Sequence, residues 1–144
     1  ARRLAENLNE RNAIDARVPS ILITGGGNFP VAKKAKQNAA RAGVRNAEFF
    51  CGDAGAVAQK LADEGVRPRV ICVDPPRKGL APEVPAVLAS MAPDRIVYVS
   101  CKATSLARDL EAFLQAGYRL EKACCVDQFC ETVWTEAVAV FVKD

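Results

Sequence analysis

Apolar residues along this chain fall into two patterns. Short, nearly unbroken apolar runs predict strands, whereas segments in which apolar positions recur every three or four residues predict helices. The predicted strands are 21–24, 48–51, 69–73, 96–100, 118–126 and 137–142, and the predicted helices are 2–12, 31–42, 54–64, 83–91 and 104–115. Gly43, Gly65 and Gly117 stand where three of the helices are expected to stop, and Pro82 suits the first turn of 83–91.

The order of these elements predicts the fold class. Strands and helices alternate through most of the chain, which is typical of an α/β domain built on a Rossmann-like, mostly parallel sheet. Strands that are apolar throughout, such as 69–73, indicate a sheet covered by helices on both faces. The last two strands follow one another without a helix, so we expect them to be antiparallel neighbours. A chain of 144 residues suits a single domain, 1–144.

Composition narrows the class of protein only slightly. Half of the residues are hydrophobic and 26% are charged, as in an ordinary soluble globular protein. The net charge of +3 permits an anionic partner without requiring one. Lys33, Lys34 and Lys36 form the densest basic cluster, but their helical spacing favours a solvated helix face over a nucleic-acid contact.

Cysteine usage indicates the cellular compartment. The chain has six cysteines without any C-x-x-C pair, and it has no histidine, so no metal site is predicted. Free thiols in this number suit the reducing cytoplasm better than a secreted disulfide framework. No signal peptide and no apolar stretch of membrane-spanning length is recognisable, so we expect a cytoplasmic protein without a membrane partner.

Two residues with reactive side chains follow two of the predicted strands. Asp74 follows 69–73 and precedes Pro75 and Pro76, which remove backbone donors and end the strand. Cys101 follows 96–100 and precedes a helix whose N-terminal dipole, together with Lys102, would stabilise a thiolate. The carboxyl ends of parallel strands meet at one edge, where α/β sheets bind ligands. The alternatives are an ordinary turn aspartate and a packing thiol.

Glu136 is the candidate general base. It precedes the last apolar strand and follows Trp134 and Thr135, a setting in which a carboxylate can accept a proton from a substrate. The alternatives are an ordinary glutamate flanking a strand and a competing base at Glu131. Because histidine is absent, a Cys–His pair is excluded, and a nucleophilic cysteine must be activated by a dipole, a cation or the substrate. The glycines at 25–27 are a weak indication of a cofactor loop.

These candidates lie within longer runs that resemble the signature runs of a known family. Residues 74–80, 97–101 and 106–110, with 46–54 and 126–129, are similar to those of the S-adenosylmethionine-dependent RNA (uracil-5-)-methyltransferases. The resemblance extends from about residue 31 to the C-terminus, and the order and spacing of the runs are more specific than any one motif. It implies a class I methyltransferase fold, S-adenosylmethionine as cofactor, and rRNA or tRNA as partner.

The resemblance also implies a role for each candidate. Cys101 is the nucleophile that adds to C6 of a uridine, and Glu136 removes the proton from C5 after methyl transfer. Asp53 and Asp74 line the S-adenosylmethionine pocket. The reaction requires a target base that is unstacked from the RNA.

Residues 1–30 are atypical for that family. The glycine-rich cofactor loop is not recognisable, and Gly26 stands where the family carries a ribose-binding acid. Either 21–27 forms the first strand and cofactor loop, or the chain lacks a strand from the middle of the sheet. These differences favour a rival function, a non-catalytic remnant that binds RNA without cofactor. A second rival, independent of them, is a cytosine-C5 methyltransferase, which also uses a thiolate.

Overall fold

The computed structural model describes residues 20–24, 29–128, 130–132 and 135–143, and of 20–24 and 29–32 the backbone only. The described residues form β1 (Ser20–Thr24), α1 (Phe29–Arg41), α2 (Ala54–Asp63), β2 (Val70–Asp74), α3 (Val84–Ser90), β3 (Arg95–Ser100), α4 (Ala103–Gln115), β4 (Tyr118–Val126) and β5 (Glu136–Lys143). With one exception, every element predicted in this part of the chain is confirmed to within two residues at each end. The predicted helix 2–12 and the glycines at 25–27 lie outside the described residues.

The exception is the predicted strand 48–51, which is wrong. No strand is assigned between α1 and α2, and Phe49 and Phe50 are 40% and 47% exposed. The apolar composition of the segment suits a strand, but a strand forms only where a neighbour accepts and donates its backbone hydrogen bonds. A smaller correction concerns α3, because Pro82 precedes that helix and Pro85 lies in its first turn.

The five strands form one mixed sheet in the order β1-β2-β3-β5-β4. Strands β1, β2 and β3 are parallel, and β5 pairs antiparallel with both β3 and β4. The predicted α/β class and the antiparallel C-terminal pair are therefore confirmed. Because β1 pairs with β2, the prediction that 21–24 forms a strand is confirmed as well.

The core lies between one face of the sheet and helices α2, α3 and α4. Strand residues in register on this face are buried, namely Ile71, Val73, Ile96, Tyr98, Ala139 and Phe141. Ala58, Leu61, Val84, Leu88 and Phe113 cover them from the helices. The rings of Phe113 and Phe141 lie 5.2 Å apart. Burial of one such large side chain stabilises the fold by about 1.5–3 kcal/mol, so this core holds β2 and β3 together beneath the helices.

Both tyrosines of the chain are buried in this core. The Tyr98 hydroxyl donates to Asp109 Oδ2 at 2.6 Å, and the Tyr118 hydroxyl donates to the Pro93 carbonyl at 2.9 Å. Burial is the largest cause that raises the pKa of each phenol; at Tyr98 the hydrogen bond to Asp109 and then its charge add to the shift, and at Tyr118 the charge of Asp94 does. Each phenol therefore stays protonated in the folded chain at a pH where it ionises in the unfolded chain.

We expect folding stability to fall as the pH rises above 10. The unfolded chain loses its phenolic protons there while the folded chain keeps them, so each tyrosine lowers the free energy of unfolding by up to about 1.4 kcal/mol per pH unit. Denaturant titrations at increasing pH measure this slope, and Tyr98→Phe should make it shallower. Phenolate absorbance of the folded chain should rise at a higher pH than that of the unfolded chain. A native titration with a midpoint at the ordinary tyrosine value would contradict the prediction.

Candidate active site

Three of the four predicted site residues lie at one edge of the sheet. Asp74 is the last residue of β2, and Cys101 directly follows Ser100, the last residue of β3. Ser100 pairs with Ala137, so Cys101 and Glu136 occupy the next positions along the β3–β5 register. The structure therefore brings the carboxyl ends of β2 and β3 together with the beginning of β5.

The alternation of side chains along the strands indicates the face of the sheet. Val73 and Ser100 are buried on the helix side, whereas Cys72 and Cys101 are only partly buried. Burial, and then the charge of Asp74, raises the pKa of the Cys72 thiol, as expected if Asp74 and Cys72 share the side of β2 away from the helices. Glu136 is partly buried and Asp74 is exposed. The sulfur of Cys101 is thus not enclosed in the core.

The backbone around Cys101 is fixed by its neighbours. Ser100 Oγ donates to the Lys102 carbonyl at 2.9 Å and accepts the Lys102 N–H at 3.1 Å. Lys102 is the N-cap of α4 in an extended conformation, without a side-chain cap, and the first turn carries no acidic residue. The positive end of the helix dipole is therefore not offset by an acid in that turn. Cys101 lies immediately before this helix end, as the sequence predicts.

The loop 74–80 follows β2 and is bound to α4. The Gly79 N–H donates to the Pro76 carbonyl at 2.8 Å, which closes a tight turn with Gly79 at φ +82°. Ser105 Oγ donates to the Arg77 carbonyl at 2.6 Å, and the Leu80 N–H donates to Asp109 Oδ2 at 2.8 Å. The loop that begins at Asp74 is thus held against the helix that follows Cys101.

Sequence reasoning assigned no role to Asp109, although it is one of the few buried polar residues in the described part of the chain. It accepts hydrogen bonds from Tyr98, from Leu80 and from Arg108, whose Nε and Nη2 lie 2.9 and 2.6 Å from Oδ1. A signal was present in the sequence: Ser105, Asp109 and Phe113 are four residues apart and line the buried stripe of α4. A carboxylate on such a stripe requires buried donors.

Asp53 is placed apart from the other three. It is the N-cap of α2, where its Oδ1 accepts the Ala56 N–H at 3.0 Å. The N-termini of α2 and α3 are close, since a Cβ on Gly55 would lie 3.2 Å from both Asp53 Oδ1 and Val84 Cγ2. Because α3 follows the loop at the end of β2, Asp53 lies on the helix side of the same sheet edge. No described contact joins it to Asp74 or Cys101.

The two candidate bases differ in their surroundings. Glu136 is the first residue of β5 and pairs with Val126 of β4. Glu131 is exposed in a turn and has a positive φ of 64°. Glu136 directly precedes Ala137, the partner of Ser100, so Glu136 and Cys101 both lie next to the last pair of the β3–β5 ladder.

The described residues form a cavity that lies outside this site, and they form no metal cluster or membrane span. A cavity of about 250 Å³, lined by Lys36, Ala47, Glu48, Phe49 and Phe50, contains none of the four predicted site residues. No group of three or more Cys, Asp or Glu side chains in the described part of the chain is arranged to hold a metal ion. None of the helices in that part has the length and apolar character needed to cross a membrane.

Comparison with known proteins decides the family. Residues 59–144 match the family described as tRNA (uracil-5-)-methyltransferase. The chain belongs to this family. An uncharacterized RNA methyltransferase of Lactobacillus johnsonii is 42% identical over 114 residues, which are 79% of this chain and 25% of that protein. One from Caldanaerobacter subterraneus is 39% identical over 109 residues, 76% of this chain and 24% of that protein. The chain thus spans about a quarter of the length of these curated relatives.

Solved structures of methyltransferases share the fold. The tRNA (uracil-54, C5)-methyltransferase of Pyrococcus abyssi, solved in complex with S-adenosyl-L-homocysteine, superposes with a TM-score of 0.73 at 24% identity, over 97% of this chain and 37% of that one. A ribosomal protein L11 methylase from Lactobacillus delbrueckii superposes with a TM-score of 0.58 at 11% identity, over 99% of this chain and 78% of that one. At these identities the similarity supports the fold alone.

Proposed function

We propose that this member of the tRNA (uracil-5-)-methyltransferase family is the catalytic-domain portion of an RNA (uracil-C5-)-methyltransferase. It transfers a methyl group from S-adenosylmethionine to C5 of a uridine in rRNA or tRNA through a covalent adduct on Cys101. The observation that supports the proposal is the β3–β5 register: Ser100 pairs with Ala137, so Cys101 and Glu136 are the residues next to the last pair, at the edge where Asp74 ends β2. Cytoplasmic location stays a prediction.

The residues at this edge meet the chemical needs of the reaction. Uracil C5 is a poor nucleophile until the Cys101 thiolate adds to C6, which moves an electron pair into an enolate of the base. After methylation, C5 carries both the new methyl group and its original proton. The Glu136 carboxylate takes that proton, the C5–C6 double bond re-forms, and the sulfur leaves as a thiolate. Dividing the reaction into addition and elimination replaces one difficult step by two easier ones.

Asp53 and Asp74 are the residues proposed to bind the cofactor. S-adenosylmethionine, when bound, supplies an electrophilic methyl group on a sulfonium. Its ammonium and ribose hydroxyl groups are donors, so they suit carboxylates, which only accept hydrogen bonds when ionised. Both side chains are exposed, and the cap of α2 occupies only Oδ1 of Asp53. The two acids are thus available to a ligand lying across the carboxyl ends of the strands.

A methylation assay separates the proposal from its rivals. The chain is incubated with S-adenosylmethionine and unmodified tRNA and rRNA transcripts, and the digested nucleosides are identified by mass spectrometry. We expect 5-methyluridine, because a C6 thiolate adduct activates C5 of uracil. A product of 5-methylcytidine would support the cytosine-C5 rival. No product, together with no heat on titration with millimolar S-adenosylmethionine, would support the non-catalytic remnant.

A further inference from the structure

We propose that Asp109 is a positioning residue, which holds the loop 74–80 against α4 and thereby sets where Asp74 lies relative to Cys101. The catalytic meaning of this inference rests on the function proposed above. Asp109 itself is placed to contact neither the RNA nor the cofactor, because its side chain is 5% exposed. Asp109 acts on the site only by holding the strand, the helix and the loop that its side chain contacts.

The first step of the argument is that both oxygens of the buried carboxylate are occupied. Oδ2 accepts from the Tyr98 hydroxyl and the Leu80 N–H, and Oδ1 accepts two N–H groups of Arg108. A buried carboxylate is strongly unfavourable without such partners, and hydrogen bonds to a charged group are stronger than neutral ones. The arrangement of these four groups is therefore specific and resists local rearrangement.

The second step is that the loop is bound through its backbone at several points. Arg108 Nη2 donates to the Lys78 carbonyl at 2.8 Å, and Ser105 Oγ donates to the Arg77 carbonyl. Gly79 packs directly on the carboxylate, since a Cβ there would lie 2.6 Å from Asp109 Oδ2 and would also clash with the Arg108 guanidinium. The loop backbone at Gly79 therefore packs against the carboxylate and the guanidinium without room for a side chain.

The third step is that Asp109 joins the elements that carry the two reactive groups. Tyr98 lies on β3, three residues before Cys101, and α4 begins two residues after Cys101. The loop that receives the Asp109 hydrogen bond begins at Asp74. One carboxylate thus bonds to the strand before Cys101, belongs to the helix after it, and holds the loop that follows Asp74.

Asp109→Asn tests the proposal in this chain. An amide cannot present two accepting oxygens to Tyr98, Leu80 and Arg108, so the loop should lose its fixed position. With saturating 5-fluorouridine RNA and S-adenosylmethionine, we expect the rate constant of adduct formation to fall by about thirtyfold, because displacement of reacting groups by about 1 Å costs rates of this order. The apparent dissociation constant of the RNA should change by less than about twofold.

Two further variants remove the partners of Asp109 one at a time. Tyr98→Phe removes the bond to β3 and keeps the bonds to Leu80 and Arg108, so it should slow adduct formation by less than Asp109→Asn does, about fivefold. Arg108→Gln removes the guanidinium and keeps the carboxylate, so it tests the same contact if Asp109→Asn does not fold, and we expect a loss of about fivefold. A purely structural role would lower the amount of adduct and leave its rate constant unchanged; that result would overturn the proposal.

A second readout keeps this inference separate from the proposed function. If the native chain forms no adduct, the proposed function fails, and the positioning role is decided by hydrogen exchange and thiol alkylation. In Asp109→Asn, the Leu80 amide should exchange at least about tenfold faster, because one amide oxygen cannot serve Tyr98, Leu80 and Arg108 together. Alkylation of Cys101 by iodoacetamide should change by about threefold or more, while that of the exposed Cys125 on β4 should not. Unchanged rates at both Leu80 and Cys101 would contradict the proposal.

Discussion

Cys101→Ala is expected to abolish the covalent complex that the native chain forms with 5-fluorouridine RNA in the presence of S-adenosylmethionine. Fluorine at C5 cannot leave as a proton, so elimination stops and the protein stays bonded to C6 of the base. Without the thiolate no bond to C6 forms, and the yield should fall by at least about a thousandfold. A denaturing gel shows the RNA–protein complex, and mass spectrometry of the digested complex identifies the modified residue.

Cys72→Ala is the matched control for this experiment. Cys72 and Cys101 are the two partly buried cysteines; Cys72 lies on β2 and Cys101 directly follows the neighbouring strand β3. Burial and the charge of Asp74 raise the pKa of the Cys72 thiol, which keeps it in the unreactive protonated form. The Cys72→Ala chain should therefore form the complex at the native level. An adduct located on any cysteine other than Cys101 would contradict the assignment.

The fold could be predicted where short-range signals decide the structure. Gly65 and Gly117 have positive φ angles of 78° and 84° at the ends of α2 and α4, which the sequence predicts from glycine positions alone. The apolar run of β2 is likewise visible locally. The segment 48–51 has the same apolar character, yet it forms no strand, because strand formation depends on a pairing partner that no local pattern reveals.

In the candidate site, the residues at the ends of strands could be predicted, whereas their contacts could not. The ends of β2 and β3 place Asp74 and Cys101 at one edge without further information. The position of Glu136 depends on the register of β5, and a shift of one residue would turn its side chain to the other face of the sheet. The helical spacing of Asp109 indicates that it is buried, but its partner could not be predicted, because Leu80 lies 29 residues away in the sequence. Local patterns thus identify reactive residues but not the contacts that orient them.

Glu136→Gln is expected to permit methyl transfer and to prevent release of the RNA. Addition of Cys101 and methylation at C5 do not require the base, but the C5 proton must leave before sulfur can be eliminated. A glutamine amide does not accept that proton, so release should slow by about a hundredfold to ten-thousandfold, the usual contribution of a general base. With ordinary uridine RNA and labelled S-adenosylmethionine, the label should accumulate in a complex that survives denaturation.

Glu131→Gln is the matched control, because it makes the same chemical change five residues earlier in an exposed turn. That variant should release methylated RNA at the native rate, since Glu136, and not Glu131, adjoins Ala137, the residue paired with Ser100 directly before Cys101. If Glu131→Gln accumulated the labelled complex and Glu136→Gln released free product, the base would be Glu131. If both variants turned over normally, neither glutamate would be the base, and a different acceptor would have to take the C5 proton before the cysteine could leave.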